Sequence, residues 1–180
     1  MKAEWIKKNQ GSEVPPWRCD RTSCVPEVLT EKQYQEMAKV VYGGDGSLKA
    51  QPVSGAIAGL YDLSRIGAVY IVTARSPDRL QWAREWLRLH ELETVISGFV
   101  STEYPSRCTK KDICAAHRLH LLIDDDRRWI DDFVDPEIPV ILFKSGLPQS
   151  EQRKIKASLR AGAQCVNSWK KVVAFAKKIE

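Results

Sequence analysis

The chain has 180 residues, 43% hydrophobic and 28% charged, with a formal net charge of +5. That is the length of one domain able to bury its own core, and the balance excludes disorder, collagen-like repeats and low-complexity sequence. No stretch approaches about eighteen consecutive apolar residues, and the start from Met1 to Lys8 lacks an apolar run followed by a small-residue cleavage site, so a cytoplasmic protein, neither exported nor membrane-spanning, is expected.

In chain order, residues 9 to 29 read as loop. Thr30-Glu31-Lys32-Gln33 is a capping-box pattern, and Tyr34, Met37, Val40 and Val41 continue at helical spacing, predicting a helix over 31–42 that ends at Gly43-Gly44. From residue 50 onwards helical and strand patterns alternate, the signature of βαβ units and a parallel sheet. A helix over 54–65 precedes the β-forming run Ala68-Val69-Tyr70-Ile71-Val72. Ser76-Pro77-Asp78 opens a helix reaching about His90, and a weaker strand follows over 95–100. Thr109 and Asp112 can cap a short helix ending near His117; His120 to Ile123 then enter a strand stopped by Asp124-Asp125-Asp126. Pro139 to Phe143 is another buried-type strand, and Cys165 to Asn167 a last short one before a helix from Ser168. No internal repeat or linker interrupts the chain, so one domain is expected.

Charge and cysteines narrow the chemistry. From Gln149 to Glu180 there are eight Lys or Arg and two Glu, a net of +6, which leaves about −1 for the first 148 residues. Such a segment either attracts phosphate-bearing partners, nucleic acid among them, or forms a solvated helix face whose last-turn cations complement the dipole. Five cysteines are an odd number, so free thiols rather than a disulfide framework are expected; Cys19-x4-Cys24 with Cys108-x5-Cys114 is a loose zinc spacing.

Three acids at the end of an apolar strand need water, a counter-ion or a cation, and in open α/β sheets ligands sit at the carboxyl ends of strands. Asp124 and Asp125 are candidate Mg²⁺ ligands, since Mg²⁺ is often held by one or two carboxylates and a phosphate; a solvated turn facing Arg127 and Arg128 is the competing reading. A second strand end carries Thr73-Ala74-Arg75, whose hydroxyl and guanidinium suit a phosphate. Lys110 stands at a helix start, against the dipole, as a phosphate-binding lysine would.

Taken together, Ile71-Val72-Thr73-Ala74-Arg75, Lys110-Lys111-Asp112-Ile113-Cys114 and Leu122-Ile123-Asp124-Asp125-Asp126 resemble, in order and spacing, motifs two, three and four of the haloacid dehalogenase superfamily. Pro52-Val53-Ser54-Gly55-Ala56, the 139–143 strand and Val166-Asn167-Ser168-Trp169 are similar to its branch of 5′(3′)-deoxyribonucleotidases and their bacterial relatives. The resemblance covers about residues 50 to 178. It implies a three-layer Rossmann-like parallel sheet flanked by helices, with at most a small helical cap, for which 30–49 is the candidate. It also implies Mg²⁺-dependent phosphoryl transfer through an aspartyl-phosphate: Thr73 and Arg75 on the phosphate, Lys110 neutralising it, Asp124 and Asp125 on Mg²⁺.

The chain departs from the family at its first motif, an apolar strand followed by Asp-x-Asp-Gly. At the start of the chain, Lys7 and Lys8 stand where carboxylates belong; after 39–42, Gly43-Gly44-Asp45-Gly46 keeps only the acid, Asp45; Asp20 has no apolar strand before it. The central strand must come from somewhere, because two neighbours would otherwise hold unpaired backbone groups, and residues 2–7 are the favoured filler, within an N-terminal arm over 1–29. Without a carboxylate nucleophile the covalent route closes. The expectation is a weak or inactive phosphohydrolase homologue. The alternatives are an active Mg²⁺-dependent phosphomonoesterase using Asp45 or Asp20, and a non-catalytic module binding a nucleotide, nucleic acid or protein.

Overall fold

A computed structural model describes residues 1–103, 107–131 and 138–179. The N-terminal fifty residues are helical. In α1 (Lys2–Gln10) the N-terminal ammonium pairs with Glu4, and Gly11, in the left-handed region at φ 67, closes the helix by donating its amide to the Lys7 carbonyl. The strand expected over 2–7 is therefore a helix. Its single fully buried side chain, Ile6, anchors it among Cys24, Leu29, Met37 and Val41. Asp20 caps the short α2 (Arg21–Cys24) within the segment expected as loop, its carboxylate accepting from the Ser23 amide. The Thr30–Gln33 capping box forms in full and starts α3 (Glu31–Tyr42). Residues 39–42, the alternative central strand, are the last turn of that helix, and α4 (Gly44–Leu48) follows it.

The rest of the chain is the expected alternation: α5 (Ala56–Ile66), β1 (Tyr70–Thr73), α6 (Pro77–Leu89), β2 (Gly98–Ser101), α7 (Lys110–Ala116), β3 (Leu122–Asp124), α8 (Arg127–Asp131), β4 (Val140–Phe143), α9 (Gln149–Ala157), β5 (Ala163–Val166) and α10 (Trp169–Ile179). The Thr109–Asp112 capping box also forms. All strand pairs are parallel, and helices pack on both faces in three layers. On one face α5 and α10 meet closely because Gly59 has no side chain; a Cβ there would lie 2.7 Å from Cε3 of Trp169.

The strands form two sheets rather than one: β1 pairs with β2, and β3, β4 and β5 pair in that order. The carbonyls of Val69 and Thr73 accept from the Ser97 and Thr102 amides, so these residues face β2 and the backbone groups of Tyr70 and Val72 face away. The Leu122 amide donates to the Pro139 carbonyl, which turns Leu121 and Ile123 away from β4. All four line one cavity of about 810 Å³ between the two sheets. Among the described residues no strand occupies this central position.

Candidate functional site

The first four strands each deliver a polar residue to the carboxyl end. Thr73 closes β1, Thr102 follows β2, Asp124 closes β3, and Lys144 follows β4. Lys110, the first residue of α7, is buried, and its Nζ donates to Asp124 Oδ2 while lying 5.1 Å over the Trp129 ring. The other oxygen, Asp124 Oδ1, accepts from the Asp126 amide at 2.9 Å. Burial pushes the Asp124 carboxyl above the usual carboxylate range, outweighing the opposing pull of Lys110 and of the Asp126 amide. Asp125 is exposed, and Asp126 is buried against Arg128 at 2.6 Å.

The helical N-terminal layer is clasped onto these strand ends. Lys144 Nζ donates to Asp20 Oδ2 at 2.6 Å, with both groups buried. Tyr42, at the end of α3, has the Lys2 ammonium and the Arg75 guanidinium each 5.3 Å from its ring centroid. Burial alone would lower the Lys2 pKa, but Tyr42 and Asp125 together raise it; burial lowers that of Arg75. The Thr73 hydroxyl accepts from the Arg75 amide at 3.2 Å. Among the described residues Arg75 forms no ion pair, and the buried Thr102 hydroxyl has no hydrogen-bond partner.

Of the residues predicted from sequence, Lys110 and Asp124 are brought into direct contact, and Thr73 lies beside Arg75. Asp45 is not brought to them: it lies on α4 with its side chain 85% exposed, paired with Lys49 at 3.0 Å. Asp20, the other substitute nucleophile, is committed to Lys144 and to Ser23. The sequence reading missed Lys144, although a polar residue straight after the apolar 139–143 strand is the same signal that singled out Thr73. It also missed Tyr42 and Lys2, for which no local signal exists.

The donor set does not make a stand-alone magnesium site. Asp124 spends both oxygens on Lys110 and Asp126, Asp125 is exposed, and no group of three or more His, Cys, Asp or Glu is placed for a metal among the described residues. The loose zinc spacing likewise yields no cluster; Cys19, Cys24, Cys108, Cys114 and Cys165 are all free thiols. In the basic C-terminal segment, Arg153, Lys156, Lys171 and Lys178 line a groove of about 460 Å³ beside β5. No described helix is long and apolar enough to cross a membrane.

No protein-family model matches the chain, and no curated protein matches it. Among solved structures it is similar to a haloacid dehalogenase-like family hydrolase from Streptococcus pneumoniae, with a TM-score of 0.61 and 17% sequence identity over 97% of this chain and 88% of that one. What the two share is the α/β fold, parallel strands between helix layers.

Proposed function

We propose that this chain is a haloacid dehalogenase-like relative of the phosphomonoester hydrolases that recognises a phosphate-bearing ligand of the nucleoside monophosphate class but does not hydrolyse it by itself. The observation that carries this is the gap between β1 and β3. In the family the chain resembles, the nucleophilic carboxylate stands at the end of a strand in that position, and covalent phosphoryl transfer has no route without it. The substitute acids speak for the same reading, since Asp45 faces solvent and Asp20 is buried on Lys144.

Recognition draws on the remaining groups. The Thr73 hydroxyl can hold a phosphate oxygen, Arg75 supplies a charge without a competing carboxylate, and Lys110 adds a second cation once its pairing with Asp124 is shared. Mg²⁺, for which Asp124 and Asp125 are the carboxylates, would arrive with the ligand's phosphate rather than occupy the site beforehand. The resemblance of Pro52 to Ala56 and of Val166 to Trp169 to the nucleotidase branch supports this ligand class.

The test is phosphate release from a panel of nucleoside monophosphates and an aryl phosphate, with and without Mg²⁺, beside Asp125→Asn. The expected result is no release above the Asp125→Asn control from folded protein, together with nucleotide binding that Arg75→Ala weakens. Metal-dependent turnover abolished in the control overturns the reading.

A further inference from the structure

Two rows of backbone groups face each other across the gap: those of Tyr70 and Val72 on β1, and those of Leu121 and Ile123 on β3. The linker at 66–69 leads into β1, the linker at 117–121 leads into β3, and both line the same cavity. The two strands therefore start from one end and run the same way. The edges to be matched run from Tyr70 to Thr73 on β1 and from Leu121 to Asp124 beside β3, so a strand alongside both is about five residues long.

Only an extended peptide offers alternating N–H and C=O groups on both of its edges at this spacing. Leu63 and Ile66 of α5 and Ala176 and Ile179 of α10 make the lining beside the gap apolar, which suits the near-continuous apolar sequence of a strand buried in a parallel sheet. The exposed His117, Arg118 and His120 rim the end where β1 and β3 begin, and among the described residues no acid lines the cavity. The apolar segments over 2–7 and 39–42 do not reach the gap as strands, because both are helix.

We propose that the gap receives an apolar segment of another polypeptide, about five residues long with an acidic N-terminal flank. It pairs in parallel with β1 and β3 at once and joins the two sheets into one. The inference rests on the same gap as the functional reading, but binding is scored without turnover, so phosphate release by the free chain overturns that reading and leaves this one to its own test.

The probe is a fluorescein-labelled peptide, Glu-Glu-Val-Ile-Val-Ile-Val, titrated with the full chain and read by anisotropy. Its comparator is the same peptide N-methylated at alternate residues, which removes backbone donors and keeps the apolar side chains. The expected result is saturable binding that weakens at least tenfold on N-methylation and severalfold in Arg118→Glu. No saturable binding overturns the proposal, as does equal binding of the N-methylated peptide, which would be mere apolar adhesion. A free chain that is already dimeric, with the gap-facing amides protected before peptide is added, also overturns it and assigns the gap to a second copy.

Discussion

Replacing Asp20 by Asn probes how the helical N-terminal layer is held on the strand ends. Asn still caps α2 at the Ser23 amide, where Asp20 accepts at 3.0 Å, so the substitution chiefly removes charge. It leaves the Lys144 ammonium buried without its counter-ion, 2.6 Å from where the carboxylate was. Breaking a buried pair from one side costs about 3–5 kcal/mol. At roughly 2–4 °C per kcal/mol for a chain of this size, Tm falls by roughly 6–20 °C. Lys144→Met is milder, about 2–3 kcal/mol, because a charged Asp20 keeps the Ser23 amide and hydroxyl as donors. The double variant recovers most of the loss, since a neutral buried pair carries no desolvated charge, and the coupling energy is at least about 2 kcal/mol. Urea denaturation of the four proteins measures this cycle. A loss below about 1 kcal/mol for Asp20→Asn, or additive losses in the double variant, refutes the clasp.

Two further outcomes follow from packing and burial. Gly59→Ala forces a methyl against Trp169 and separates α5 from α10, costing about 1–3 kcal/mol in urea denaturation; a change below about 0.5 kcal/mol contradicts the close approach. Burial pushes the Cys114 thiol up to about 11 from 9.0, so the folded chain keeps a proton that the unfolded chain releases. Its contribution to stability is complete below pH 9 and is lost as pH rises towards 11. The fall in urea midpoint between pH 9 and 11 is therefore shallower in Cys114→Ala than in the unmodified protein, and parallel curves contradict the buried thiol.

The second part of the chain was legible because its signals are local and agree. Thr109 with Asp112, Pro77 after Ser76, and short β-forming runs before polar strand ends each specify one element, and each element formed. Thr30 with Gln33 was equally explicit, and it overrode the β composition of 39–42. The first ten residues misled because Trp5 and Ile6 sit between lysines in a pattern too short to show a period. What makes them a helix is the buried seat of Ile6 among α2 and α3 residues and the left-handed Gly11. The candidate site was legible where a motif sits on one strand end, as with Thr73 and Asp124. It was not legible where a partner comes from far along the chain, as Asp20 does for Lys144, 124 residues apart. Asp45 failed for a physical reason: motif position placed it, but no strand precedes it to aim it at the others.

The gap in the sheet underlies both the proposed lack of turnover and the proposed strand-accepting surface, and amide hydrogen exchange of the free chain tests it most directly. The amides of Tyr70, Val72, Leu121 and Ile123 face the gap, whereas those of Ile71, Leu122 and Leu142 lie within paired strands. The first group is predicted to exchange at least tenfold faster than the second under native conditions. Equal, strong protection of both groups would mean that the central position is filled, and would contradict the open sheet.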